Sequence, residues 1–154
     1  MKARATVLTL ALCFVGVAVC FAADAFIGTW KLNEAKSNFS PGAPKNTTVV
    51  YEVVGDNVKV TIDGIDGDGK PIRNEWTGKF DGKDYPVTGD SSSDARALKK
   101  IDDHTLTFDV KKGGKVITSG RIVLSADGKT RTVTTTGTDP KGNKITGTAV
   151  YDKQ

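Results

Sequence analysis

One histidine, His104, stands in a chain of 154 residues, inside the string Asp102-Asp103-His104. Zinc sites gather several Cys, His or carboxylate ligands; one imidazole between two acids and a strand does not supply them, and no metal centre is predicted. Ser91, Ser92 and Ser93 with His104 and an acid have the residue types of a nucleophilic triad. Their surroundings, Gly89-Asp90-Ser91-Ser92-Ser93-Asp94, read as a polar loop and lack the strand-turn-helix context that exposes a nucleophile. Asp63-Gly64-Ile65-Asp66-Gly67-Asp68-Gly69 carries acids as calcium loops do. Counted from Asp66, however, the sixth residue is Pro71 and the twelfth Thr77, where an EF-hand needs Gly and Glu. A plain hairpin is the expectation, with a weak surface calcium site as the alternative. Asn38-Phe39-Ser40 and Asn46-Thr47-Thr48 match the glycosylation sequon, a triplet common by chance. The sequence thus predicts no catalytic residues, no cofactor and no enzyme.

What the chain does carry is a period of two. Val58-Lys59-Val60-Thr61-Ile62-Asp63, the run from Ile72 to Phe80, and Leu106-Thr107-Phe108-Asp109-Val110-Lys111 alternate apolar and polar residues. Such alternation puts one set of side chains on an inner face and the other in water. Ten strands are predicted, at 26–32, 47–54, 58–63, 72–80, 84–88, 94–101, 104–111, 115–125, 130–137 and 144–151. Between them stand turn formers: Gly55-Asp56-Asn57, Asp66-Gly67-Asp68-Gly69, Asp81-Gly82-Lys83, Lys112-Gly113-Gly114, Ala126-Asp127-Gly128 and Pro140-Lys141-Gly142-Asn143. These residues tolerate the positive φ of tight reversals between antiparallel strands. No stretch after residue 22 has helical periodicity, although 33–38 has room for one loose turn before Pro41 and Pro44. The fold class is therefore all-β, an antiparallel meander closed into an 8–10-stranded barrel, since closure removes exposed strand edges. A β-sandwich is the alternative, with 33–46 and 89–93 as its crossovers.

The first of these strands reads Phe26-Ile27-Gly28-Thr29-Trp30-Lys31-Leu32, followed by Ser37-Asn38-Phe39, and the last reads Gly147-Thr148-Ala149-Val150-Tyr151. A Gly-x-Trp at the start of the first strand, here Gly28 and Trp30, resembles the lipocalin and fatty-acid-binding protein (calycin) superfamily. The string through Phe39-Ser40-Pro41-Gly42 is also similar to secreted bacterial lipocalin-like proteins of unassigned function. The resemblance implies a barrel whose strand-one Trp packs under a cationic side chain from a late strand, here Arg131 or Arg121. It does not extend to the helical lid, which Ser40-Pro41-Gly42-Ala43-Pro44 forbids, nor to the Arg-x-Tyr carboxylate anchor, because Ala149 stands before Val150-Tyr151.

With Trp30 inward, strand parity turns Gly28, Leu32, Val49, Tyr51, Val53, Val58, Val60, Ile62, Trp76, Phe80, Leu106, Phe108, Ile145, Ala149 and Tyr151 inward as well. Tyr51, Trp76, Phe108 and Tyr151 are the candidate lining of a ligand cavity, and Arg131 is its candidate polar anchor. The small residues Gly78, Gly120, Gly147 and Ala149 are expected to leave room between them. The same residues also suffice as an ordinary apolar core.

The N-terminus bounds the compartment. Met1-Lys2-Ala3-Arg4, an apolar run from Ala5 to Val19 and the small Ala22 form the three parts of a secretory signal. The run is shorter than the roughly 20 residues of a membrane span. The chain is read as a signal peptide over 1–22 and a single domain over 23–154, periplasmic or extracellular in a bacterium, without stable membrane insertion. Cleavage removes Cys13 and Cys20, so disulfides are excluded; lipidation of Cys20 is the alternative, disfavoured by Val19. Of 154 residues 132 remain, and losing Lys2 and Arg4 lowers the net charge from +4 to +2. That is too mild for a nucleic-acid partner. The expectation is a non-catalytic binder of a small hydrophobic or amphipathic molecule, against a structural or interaction protein of the envelope with no internal ligand. The sequence names no protein partner.

Overall fold

A computed structural model describes residues 25–138 and 142–154. The predicted signal peptide with both cysteines, and Pro140-Lys141 of the last predicted turn, lie outside the described residues. The strands are β1 (Gly28–Leu32), β2 (Asn38–Phe39), β3 (Lys45–Val54), β4 (Asn57–Ile65), β5 (Pro71–Gly78), β6 (Asp81–Thr88), β7 (Ala95–Asp102), β8 (Thr105–Lys112), β9 (Lys115–Leu124), β10 (Thr130–Thr138) and β11 (Lys144–Lys153). From β3 onward each pairs antiparallel with its chain neighbour, β1 pairs with β3, and β1 also pairs with β11. That last pairing closes a ten-stranded barrel and rules out the sandwich.

The eleventh strand, β2, was not expected. β1 runs beside β11 with Leu32 opposite Tyr151, Asn33 N–H donates to the Val150 carbonyl at 2.8 Å, and Asn38 resumes opposite Thr148. β1 and β2 are thus one path along β11, interrupted by a single 3-10 turn, Glu34–Lys36, which Asn33 caps by accepting from Lys36 N–H. This turn is the loose one foreseen at 33–38. Within Gly-x-Trp, Gly28 has φ +123°, which side-chain-bearing residues rarely adopt.

Register fixes the inner face, because residues directly opposite in a ladder point the same way. Trp30 faces Val49, Val60 faces Trp76, Leu106 faces Ile122, and Arg131 faces both Leu124 and Tyr151. The strands enter and leave through two unlike ends. At one lie the β3–β4, β5–β6, β7–β8 and β9–β10 turns and the chain's C-terminus. There the barrel is stoppered: Phe26, Trp30 and Leu106 are wholly buried, and the Trp30 Nε1–H donates to the Phe26 carbonyl at 2.9 Å. Phe80 packs edge-on to Phe26 and stacks on Trp76, 6.3 and 6.4 Å between ring centres. Val53, expected inside, lies beyond this stopper and is 65% exposed.

The room expected beside the small residues is largely taken. A Cβ on Gly78 would come within 2.7 Å of both the Tyr85 and Trp76 rings, and one on Gly120 would meet the Phe108 ring and the Thr134 carbonyl at 2.4 Å. These glycines let aromatic rings lie flat against backbone; they hold no empty space. The turns behave as their side chains require. Asp66 accepts from the N–H groups of Asp68 and Lys70, and Asp102 accepts from His104 N–H, so the acids flagged for calcium or catalysis fold their own loops. Among the described residues no helix is long and apolar enough to cross a membrane.

Candidate functional site: a sealed arginine and an open end

Arg131 sits at the centre of the stoppered half, 2% exposed. Its guanidinium carbon lies 5.1 Å from the Trp30 ring centre, 5.1 Å from Tyr51 and 4.5 Å from Tyr151. Of the two arginines considered for Trp30, it is therefore Arg131 that covers it; Arg121 lies on an outward position and is exposed. Three aromatic faces supply the charge with attraction of about 0.5–2 kcal/mol each. They do not satisfy its N–H groups, for Nε and Nη1 are buried without a hydrogen-bond partner among the described residues. The Tyr151 hydroxyl donates to the Asn46 carbonyl at 3.0 Å. Burial pushes the Tyr151 phenol up to about 12, opposed by the Arg131 charge and aided by Tyr51.

Three of the five candidate ligand contacts, Tyr51, Arg131 and Tyr151, thus gather around one guanidinium, and Trp76 joins the same core through Phe80, which packs on both Trp76 and Tyr51. Trp76 donates from Nε1 to the Arg96 carbonyl at 2.8 Å. The fifth, Phe108, lies higher, toward the second end.

That second end is different. The inward residues Phe108, Val110, Thr118, Val133, Thr135, Ile145 and Gly147 are all only half-buried. In a closed barrel, inner-face side chains that keep accessible area border space that protein atoms do not fill. A hollow of about 330 Å³ lies at this end beside β2, walled by Asn38, Phe39, Ser40, Thr134, Thr135, Thr146, Gly147 and Thr148. A second, of about 390 Å³, is bounded by Glu34, Ser37 and the 38–45 loop, where Lys45 pairs with Glu34 at 3.2 Å. The first hollow is walled mainly by hydroxyls, with Phe39 its large apolar residue, so its lining is more polar than the aromatic set expected from parity.

One polar group at this end escaped the sequence reading. Arg96 lies opposite Tyr85 on β6 and Val110 on β8, and two residues on Leu98 faces Phe108; Arg96 therefore points inward. Its Nη2 donates to Asn74 Oδ1 at 3.4 Å, and Asn74 is buried. Burial lowers the Arg96 pKa, against upward contributions from Tyr51 and Asp90. Strand 94–101 concealed this because Ala95 and Ala97 fall on one parity and Leu98 on the other.

No protein-family model and no curated protein matches the sequence. Among solved structures, a redesigned β-barrel, mFAP1, bound to DFHBI, aligns with TM-score 0.49 and 15% identity, over 86% of this chain and 98% of that one. The EF1p2_mFAP2b protein bound to DFHBI aligns with TM-score 0.53 and 12% identity, over 86% of this chain and 97% of that one. The second likeness is one of fold, a closed antiparallel β-barrel.

Proposed function

We propose that this is an exported, non-catalytic lipocalin-like protein that binds a small hydrophobic or amphipathic molecule at the open end of its barrel. The observation that carries the reading is the unequal exposure of one continuous inner face: wholly buried at Phe26, Trp30 and Leu106, partly accessible at Phe108, Val110 and Val133. An apolar inner surface left in reach of water is what a ligand covers with gain. A hollow of about 330 Å³ lies beside β2, walled in part by Thr135 and Gly147 of the inner face and in part by the outward Thr134, Thr146 and Thr148. That EF1p2_mFAP2b is bound to DFHBI supports the capacity of such a barrel to hold a small molecule. Placement in the secreted bacterial lipocalin-like group rests on Gly28, Trp30 and the string through Gly42, and export rests on the signal-like N-terminus.

The non-catalytic reading is supported by the chemistry of the mouth. Arg96 is a guanidinium that does not give up its proton at ordinary pH, and its polar partner is the amide of Asn74. His104 lies on the turn at the opposite end. A scaffold with no internal ligand is the second reading, favoured by the filled lower half around Arg131.

The two are separated by titrating the neutral, apolar fluorophore N-phenyl-1-naphthylamine into the protein lacking residues 1–22. Saturable one-to-one binding, weakened at least about tenfold by Thr135→Trp in a mouth-facing position, is expected. Absence of saturable binding, or binding indifferent to Thr135→Trp, contradicts the reading.

A further inference from the structure

We propose that the two hollows meeting at β2 form a binding site separate from the apolar inner face, and that its ligand is a neutral saccharide. The hollows, of about 330 and 390 Å³, share Asn38, Phe39 and Ser40 as a common wall. The first extends over β10 and β11, the second toward the 3-10 turn and the loop to Lys45. Both have the volume of a small-molecule cleft.

The polar side chains of the first hollow stand in register. Asn38 on β2 is opposite Thr148 on β11, which is opposite Thr134 on β10. Neighbouring strands lie about 4.8 Å apart, so one carboxamide and two hydroxyls form a row with the span of a sugar ring. Thr134 is also opposite the exposed Arg121, which sets this row on the outward parity. Thr146, two residues before Thr148, faces the same way. Its main chain holds Ser40: the Ser40 Oγ donates to the Thr146 carbonyl at 2.8 Å and accepts from the Thr146 N–H at 3.2 Å. Those bonds fix the rim and occupy Ser40. The side chains of Asn38, Thr134, Thr146 and Thr148 make no hydrogen bond to another described residue.

Charge then narrows the ligand. Among the described residues no charged side chain lines the first hollow, and the two that border the second, Glu34 and Lys45, pair with each other at 3.2 Å. A charged ligand meets no unpaired opposite charge here. A purely apolar one would cover the hydroxyl row without replacing its bonds to water, which costs free energy. Hydroxyls and a carboxamide both donate and accept, as do the hydroxyls of a sugar. The aromatic common to both hollows, half-buried Phe39, supplies an apolar patch for the C–H face of a sugar ring. Lys45 Nζ lies over the Phe39 ring, 5.6 Å from its centre, and braces it.

The test titrates the protein with three neutral trisaccharides, maltotriose, cellotriose and triacetylchitotriose, and follows amide and carboxamide resonances by NMR. Saturable binding of at least one is expected, with shifts at Asn38, Phe39, Thr146 and Thr148 and none at Phe108 or Val133. Thr148→Val keeps the branched shape and removes one hydroxyl, and should weaken that sugar about fivefold. Phe39→Ala should weaken it about tenfold or more, whereas Thr132→Val, on the same face outside the hollow, should leave affinity within about twofold. If Phe39→Ala does not fold, the shift map and Thr148→Val still decide. No saturable shift with any of the three, shifts centred on the inner face, or affinity indifferent to Thr148→Val overturns the saccharide site and leaves the apolar reading standing. Displacement of bound N-phenyl-1-naphthylamine by the sugar also overturns it, because the two sites would then be one.

Discussion

Two arginines occupy the same inner face and meet different partners. Arg131 is surrounded by Trp30, Tyr51 and Tyr151, and its charge is met by ring faces. Arg96 stands at the mouth with one weak partner. The first was legible in sequence, because Arg131 shares a parity with Val133 and a late-strand cation over a strand-one Trp is what the resemblance implies. The second was not, because the apolar residues of 94–101 fall on both parities and the strand's inner side is undetermined until its register is known. Tyr151 carries a consequence in alkali. Its folded-state pKa, about 12, lies above the unfolded value near 10, so folding favours the protonated phenol. The stabilisation is complete below about pH 10 and is lost as pH rises through 12. Urea unfolding between pH 9 and 12 should show a decline of about 2 kcal/mol that Tyr151→Phe lacks. Equal declines in both proteins would place the phenol in water.

At the scale of elements, strand number and strand limits were readable because each hairpin is punctuated by Gly, Asp or Asn between alternating runs. β2 was missed for the complementary reason: two residues, Asn38 and Phe39, give no periodicity, and they are strands only because β11 continues past β1. The short lead-in at 25–27 matters more than its length suggests. Phe26 is wholly buried, its carbonyl accepts from Trp30, and the Ala25 carbonyl accepts from Lys153 Nζ at 3.0 Å. It acts as a stopper placed by the chain itself. Removal of residues 1–22 is expected to leave thermal stability unchanged, whereas Phe26→Ala should cost about 3–5 kcal/mol in urea unfolding. A cost below about 1 kcal/mol would show that the end is closed by something other than Phe26.

For the whole molecule, closure of ten strands was predictable from the length of the meander, but the distribution of filling was not. Parity named the inward residues and treated the interior as uniform. The structure divides it: glycines at 78 and 120 admit Tyr85, Trp76 and Phe108 rings and fill the middle, while threonines and glycines toward β2 leave the other end open. The space at a glycine is filled by rings from an adjacent strand, Tyr85 at Gly78 and Phe108 at Gly120, which alternation within one strand does not encode. The barrel therefore combines an aromatic floor with a more accessible opposite end, the contrast on which the binding proposal rests. The most direct measurement is amide chemical-shift mapping during titration with N-phenyl-1-naphthylamine. Perturbations confined to residues around Phe108, Val110, Thr118, Thr135 and Gly147 are predicted, with Phe26, Trp30 and the turn at His104 unmoved. Perturbations centred on the stoppered end, or scattered over the outer surface, would contradict the account.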